Sequence, residues 1–345
     1  MKHAIYCALS LIPLSMLSAD DMTFPEGKII DHPSLYHDIT PSAGPRVIDG
    51  IGMFLTGDYL YWTAREDNIP YATSGISEDI HVAAEKGKSH SVKFRFASGF
   101  KAGLGFSFGH DKWDMAFDYT WFLSNDNHSS TSQGASESQL FPAIYTLSLA
   151  PLSNASGSWK FRFNALDWEL GRNFYVSKFL ALRPFFGFKG TLQTQKYNIR
   201  YLFNDDSSTH YKANFKNDFW GFGIRAGLNT AWHLGANWSF YGDLALSALW
   251  GAFNEHRKDK TAPSGSGYTT AINNVAIFHT IKPVLELALG LRKEGWFCDD
   301  RFHIAVQGGW EEQVWFDQNQ FLFNASVHTA DLVLQGLTAR VRFDF

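Results

Sequence analysis

The chain has 345 residues, a net charge of −4, and 45% hydrophobic and 16% aromatic residues. The modest negative charge argues against nucleic acid as the partner, because phosphate binding needs clustered basic charge. No run of about 20 apolar residues occurs in the body of the chain, which excludes helices crossing a membrane there.

The chain opens on a secretory pattern: Lys2, the apolar stretch Ile5 to Leu17, and small residues at Ser18-Ala19. Residues 1–19 are therefore expected to be a signal peptide, whose removal takes Cys7 and leaves Cys298 as the single cysteine. Residues 20–50, with Pro25, Pro33, Pro41 and Pro45 and few aromatics, read as a periplasmic linker. A fold into the barrel lumen stays open for them.

From residue 51 to 345 the period is two. Val92, Phe94, Phe96, Phe100, Ala102, Leu104, Phe106 and Phe108 alternate with Lys93, Arg95, Lys101 and small residues. A strand sends successive side chains to opposite faces, so one face is greasy and one polar or small. Trp113, Met115, Phe117, Tyr119 and Trp121 alternate in turn with Asp114, Ala116, Asp118 and Thr120. Further strands fall near Phe54–Ala64, Trp159–Arg172, Leu180–Lys196, Phe215–Trp232, Trp238–Phe253, Val275–Arg292, Phe302–Phe316 and Leu332–Phe345. The Trp159 strand changes phase near Ala165-Leu166, which predicts a bulge or a rim crossing.

Long polar stretches (65–91, 124–158, 197–214, 254–274, 317–331) alternate with short ones near His110, 173–178, 235–237 and 294–300. Long loops outside and short turns inside are the habit of outer-membrane barrels. The expected fold is all-β: a closed antiparallel transmembrane β-barrel of about ten strands, with twelve still open, in the bacterial outer membrane. Its greasy face spreads apolar residues on alternate positions, so mean hydropathy stays just below zero. The competing soluble β-sandwich would not need so long an outward aromatic band.

The last strand alternates Leu337, Val341, Phe343 and Phe345 with Thr338, Arg340, Arg342 and Asp344. An amphipathic strand ending on an aromatic resembles the signal read by the barrel-assembly machinery. Several segments together resemble the Legionella major outer membrane protein family. They are Gly57-Asp58-Tyr59-Leu60-Tyr61-Trp62, Gly99-Phe100-Lys101-Ala102-Gly103-Leu104-Gly105, Trp113-Asp114 with Tyr119-Thr120-Trp121, Asn164 through Arg172, Arg183-Pro184-Phe185-Phe186-Gly187, Trp310-Glu311 with Trp315-Phe316, and the terminal strand. The resemblance spans most of residues 52–345. It implies an outer-membrane pore, in some members surface-exposed on host-associated bacteria, and it implies no catalytic residues.

The phase assigns Phe94, Phe96, Phe100, Leu104, Trp113, Phe117, Trp121, Phe343 and Phe345 to lipid. It assigns Lys93, Arg95, Lys101, Asp114, Asp118, Asp167, Glu169, Arg183, Lys189, Arg225, Asp243, Lys282, Glu286, Arg292, Arg340 and Arg342 to the lumen. Glu311 joins them, and Arg172 does so if no slip intervenes. The small basic excess predicts a hydrated channel leaning weakly toward anions, with Arg95 and Lys101 as its basic contribution. The alternative is a barrel filled by its own side chains, serving as an adhesin or a structural protein.

A remote third reading is a barrel hydrolase, using Asp205, Asp206 and His210 in one loop and His279 near the rim. Asp-Asp-Ser-Ser is also ordinary loop composition, so the chain is read as non-enzymatic. Thirteen scattered histidines without ligand spacing predict no metal site, and no glycine-rich phosphate loop calls for a cofactor. The expected partners are outer-membrane lipid, the assembly machinery and, through the long loops, host surface molecules. A homo-oligomer stays open, and Cys298, placed in a periplasmic turn, could link one.

Overall fold

The computed structural model describes residues 42–45, 47–48, 50–74, 87–108, 113–132, 139–144, 146, 150–204, 208–322 and 329–345. The expected connection at His110 and the acids Asp205 and Asp206 lie outside the described residues. Among those residues the chain is all strand and turn. The strands are β1 (Met53–Glu66), β2 (Pro70–Ser74), β3 (Lys88–Ser91), β4 (Phe96–Ser107), β5 (Trp113–Thr131), β6 (Leu140–Pro142) and β7 (Leu152–Arg172). They continue with β8 (Phe174–Tyr175), β9 (Leu180–Phe203), β10 (His210–Gly235), β11 (Trp238–Ala262), β12 (Thr269–Phe297), β13 (Phe302–Asn319) and β14 (Ala330–Asp344).

Ten of these form a closed antiparallel barrel in the order β1, β4, β5, β7, β9, β10, β11, β12, β13, β14, and β14 pairs back onto β1. Closure leaves no sheet edge facing lipid, where unpaired backbone groups would cost several kcal/mol each. The short strands β2, β3 and β6 extend the sheet at the end that carries the long connections, and β8 sits at the other end. Short turns join the strands at the β8 end. The tightest is Ala236-Asn237 between β10 and β11, both with positive φ, the two-residue geometry that matches strand twist.

Most strands are longer than their apolar alternation suggested. β11 has 25 residues, about 80 Å of chain at ~3.3 Å per residue. Even tilted about 40°, that is more than twice a lipid band of about 25 Å. The excess lies at the end with the long connections, and there the polarity of the two faces inverts. On β7, Leu166, Trp168 and Leu170 face outward and Asp167 and Glu169 inward. Beyond Leu166, Lys160 and Arg162 face out while Trp159, Phe161 and Phe163 face in, fully buried. Pairing with β5 and β9 runs through this point without a register shift. The phase change is therefore a rim crossing, not a bulge. Outside the membrane the outer face meets water, so the dry face is the inner one.

Much of what reads as long polar loop is strand for the same reason. Tyr197, Ile199, Tyr201 and Phe203 point inward and are buried, alternating with Lys196, Asn198 and Arg200. The inversion also corrects one strand. Residues 92–95 are not strand; β4 begins pairing at Phe96 with Thr63. Val92 and Phe94 turn in, with Phe94 packed edge-on to Trp159 at 5.4 Å. Lys93 is exposed, and the Arg95 side chain is 64% exposed against Asp126. Phe94 thus does not face lipid, and Lys93 and Arg95 do not face the lumen. The water above the band, not lipid, decides which way this segment turns.

Phe96, Phe100, Leu104, Trp113, Phe117 and Trp121 point to the outer face, with Trp121 stacked on Phe100 at 5.7 Å. Phe343 and Phe345 lie on that face too, in contact at 5.7 Å. Phe100→Arg is expected to cost about 2–4 kcal/mol if the site lies near the bilayer midplane. It should leave a larger unfolded fraction in a heat-modifiability gel than Phe100→Leu does.

Candidate lumen site

The lumen is built in three layers. The outermost is aromatic. Trp62, Phe122, Trp159, Phe161, Phe163, Tyr197, Phe215, Phe253 and Trp315 project from the walls of seven strands and are at most 1% exposed. Phe321, from the segment after β13, and Ile69 and Tyr71, near β2, pack onto the same cluster. Trp159 stacks on Phe161 at 5.5 Å, and Phe163 meets Trp315 edge-on at 5.6 Å. These side chains belong to the barrel wall itself, so they cannot swing away as a separate plug would.

Polar groups are threaded through this layer. Gln195, Asn217 and Glu255 sit side by side on β9, β10 and β11, and Glu66 at the end of β1 lies beside Gln195. Burial, reinforced by Asp67 and Glu255, pushes the Glu66 carboxyl well above the usual carboxylate range. Burial, with Asp218, pushes Glu255 up to about 9. Folded Glu66 keeps its proton at pH values where the unfolded chain has lost it. Its contribution is therefore full below the ordinary carboxylate pKa and is lost as pH rises through its folded value. The midpoint of heat modification should fall from pH 5 to pH 9 more steeply in the wild type than in Glu66→Gln. Parallel slopes would show that Glu66 is not the group being titrated.

Below the aromatic layer lies a charged one. Lys189 is fully buried, with Nζ 2.7 Å from Asp167 and 3.1 Å from Glu286. Arg225 donates to Glu286 at 3.0 Å and to Glu169. Arg183 donates to Glu169 at 2.8 Å, to Asn229 at 2.8 Å, and to Asp114 through Nε at 2.9 Å. Across the lumen Lys101 pairs with Glu311, and Arg340 holds Asp58 at 2.8 Å with Asp118 at 3.8 Å. Asn229 donates to Asp243 at 2.9 Å and Arg292 to Gln307 at 2.9 Å, while Lys282 sits higher, over the Phe253 ring of the aromatic layer, and donates to the Asp317 carbonyl. Arg342 and His303 both reach Asp344.

The structure thus turns fourteen of the sixteen expected lumen residues inward, all but Lys93 and Arg95, and ties most of them into ion pairs. Arg172 sits on the outward parity of β7, opposite Asp167 and Glu169. Sequence reasoning missed Asp58, Glu294 and Asp344, which also face in. With these inside and Lys93, Arg95 and Arg172 out, acidic residues outnumber basic ones in the lumen. The expected basic excess and its lean toward anions are corrected accordingly. Alternation on β1 and β14 places Asp58 and Asp344 on the polar face, and that signal was available.

The third layer is a cavity of about 270 Å³ bounded by Asp114, Arg183, Asp243, Arg292 and Arg340 among others. The N-terminal segment reaches into it. Ser42 bridges to Phe174, Ala43 N–H donates to Asn173 at 3.1 Å, Ala43, Gly44 and Pro45 line the cavity, and Ile48 N–H donates to the Asp300 carbonyl at 2.9 Å. The β7–β9 turn and the β12–β13 turn are four strand positions apart in a ring of ten. Residues 42–45 and 47–48 therefore lie across the mouth at the short-turn end. Cys298 lies in that β12–β13 turn, exposed, with φ 56°.

Of the residues weighed for hydrolysis, Asp205 and Asp206 lie outside the described residues, and the two histidines stand apart on β10 and β12. His279 points outward and stacks on Trp250 at 5.5 Å, and His210 is exposed at the start of β10. A different hydroxyl and imidazole cluster sits at the far rim. Tyr71 Oη is 2.5 Å from His128 Nδ1 and 2.7 Å from Ser130 Oγ, and His90 lies between Ser74 and Ser130 at 2.9 and 3.1 Å. Burial, with the nearby Lys88, lowers the His90 pKa, and burial with Lys93 and Lys88 lowers that of His128. Among the described residues no carboxylate joins this cluster, and no group of His, Cys, Asp and Glu is arranged to hold a metal.

The family model described as Legionella pneumophila major outer membrane protein precursor matches residues 53–345. No curated protein matches the chain. Among solved structures, it is similar to the outer membrane protease OmpT from Escherichia coli, with 10% identity and a TM-score of 0.45, over 86% of this chain and 97% of that one. It is also similar to the Pseudomonas putida toluene transporter TodX, with 9% identity and a TM-score of 0.28, over 86% and 91%. A Pseudomonas aeruginosa FadL homologue follows, with 7% identity and a TM-score of 0.25, over 86% and 90%.

Proposed function

Because the chain belongs to the Legionella major outer membrane protein family and lies in the bacterial outer membrane, we propose that it is a closed, filled barrel. On this reading it is a structural, non-enzymatic surface protein that presents its extracellular wall and rim for contacts. One observation carries this reading: the buried aromatic layer formed by side chains of the barrel wall itself. Water would have to replace an interior packed like a soluble protein core. Lipid holds the lower half, the polar outer face of the upper half stands in water, and the rim strands β2, β3 and β6 extend the platform. Host surface molecules are the partners this platform would meet.

The charged layer and its 270 Å³ compartment favour a second reading, a porin-like channel passing ions and small hydrophilic solutes. In that case the aromatic layer must part for the channel to conduct. Planar-bilayer recording of the purified protein separates the two. A silent, inserted protein supports the filled barrel, and regular unitary steps support the pore.

A further inference from the structure

The outer wall just above the lipid band gathers basic residues into rows on one side of the barrel, across β7, β9, β10 and β11. On β7 the last apolar outward residue is Leu166, and the outward positions beyond Asn164 are Arg162 and Lys160. On β9, Leu192 is followed beyond Thr194 by Lys196 and, two outward positions further, Arg200. On β10, Trp220 is followed by Asp218, Lys216 and, past Asn214, Lys212. On β11 the outward run ends in Lys258 and Lys260.

The register gathers these into rows. Lys160 pairs with Lys196, and Lys196 with Lys216. Arg200 pairs with Lys212, and Lys212 with Lys260. Opposed like charges on neighbouring strands are unfavourable by themselves, so the rows are poised for an anion. The chain as a whole is acidic, yet on this wall eight basic residues face one acid, Asp218, which pairs with Lys216. Among the described residues no carboxylate pairs with Lys160, Arg162, Lys196, Arg200, Lys258 or Lys260. Between and above the rows lies an outward groove of about 930 Å³, lined by Asn127, Ser156, Asn198, Arg200, Lys212 and Asn214. It supplies amide and hydroxyl groups suited to sugars beside the cations.

We propose that this wall of β7, β9, β10 and β11 binds lipopolysaccharide, its cations taking the phosphates of the outer-leaflet glycolipid and its groove the adjoining sugars. Each basic residue lies four to eight residues past the end of the apolar outward band of its strand, at Leu166, Leu192, Trp220 and Ala252. At ~3.3 Å per residue and a tilt near 40°, that is about 10–20 Å above the hydrocarbon edge, where the phosphorylated headgroups lie. Basic clusters beside a membrane recognise anionic headgroups by this electrostatics, and Arg adds bidentate phosphate contacts. The flanking strands do not continue the basic rows. Outward positions near the same height on β12 are Ile277, Val275 and Asn273, and on β5 they are Leu123, Asn125 and Asn127.

The test compares wild type with K160Q/K196Q/K216Q/K258Q, each purified folded as judged by heat-modifiable mobility. Binding is measured to lipopolysaccharide, to the same glycolipid with its phosphates removed, and to zwitterionic phosphatidylcholine vesicles. The expected result is at least tenfold weaker binding of lipopolysaccharide by the variant. A similar loss is expected for wild type with the dephosphorylated glycolipid, and no difference between the proteins on phosphatidylcholine. Equal binding by wild type and variant, or undiminished binding to the dephosphorylated glycolipid, would overturn the proposal. If the variant fails to fold, a salt titration of wild type decides. At 1 M salt the Debye length is about 3 Å, so bound lipopolysaccharide should be largely released, and full retention would overturn the proposal.

Discussion

Wild-type protein inserted into a planar bilayer should carry no steady current above the lipid background. A conducting path needs a continuous column of water, and the aromatic layer fills the lumen above the charged one with side chains at most 1% exposed. Removing one large aromatic from such a layer costs about 3–5 kcal/mol, so thermal opening by displacement of several at once is rare. Thinning the layer should therefore change the outcome. Phe161→Ala together with Phe163→Ala and Phe253→Ala removes two aromatics of the β7 wall and one of the β11 wall and should give current in a fraction of insertions, with reduced thermal stability. Regular conductance steps from wild type would sink the filled-barrel reading. Silence from the triple variant, once insertion is shown, would mean that the charged layer also blocks passage.

Arg225→Met should be among the most damaging single changes inside the barrel. Arg225 joins Glu169 to Glu286, and its guanidinium also lies 4.9 Å from the Phe185 ring. Removing one partner from a buried charged network leaves the others uncompensated, which typically costs about 3–5 kcal/mol. Glu169 would keep Arg183, and Glu286 would keep Lys189, so the cost should fall at the lower end of that range. A second change to Glu286→Gln should recover part of the loss. The readout is the temperature at which the folded gel band disappears. A midpoint unchanged within about 1 °C would mean that water in the lower lumen screens the network.

The lower half of the barrel was legible in the sequence because one rule holds there throughout: lipid outside, polar groups inside. Phe100 and Lys101, or Phe186 and Lys189, declare their faces by parity alone. The upper half obeys the opposite rule. A reader who keeps the lipid phase sees Tyr197, Ile199 and Tyr201 among Lys196 and Arg200 as loop. The same habit sent Phe94 to lipid and Arg95 to the lumen. Cross-barrel relations, such as Glu66 beside Gln195 or Ala43 bonded to Asn173, depend on closure of the ring and left no local mark. Asp58 and Asp344 did leave one, since each alternates in phase with residues that were assigned.

The level at which polarity inverts also works as a waterline. Leu166, Gly190, Phe222, Trp250 and Ile281 form one hydrogen-bonded row across β7, β9, β10, β11 and β12. The highest apolar outward residue is Leu166 on β7, but Val275 on β12, six residues beyond its row. Four strand spacings of about 4.8 Å give roughly 19 Å sideways, and six residues at about 3.3 Å give roughly 20 Å along the strand. A level water surface then requires the strands to lean about 45° from the membrane normal, close to the roughly 35–45° that such barrels adopt. Moving the boundary on one strand, for instance with Val275→Lys and Ile277→Lys, would demand a different lean from its neighbours. The ring should answer by shifting its depth in the bilayer, which fluorescence quenching by lipids labelled at set depths would measure.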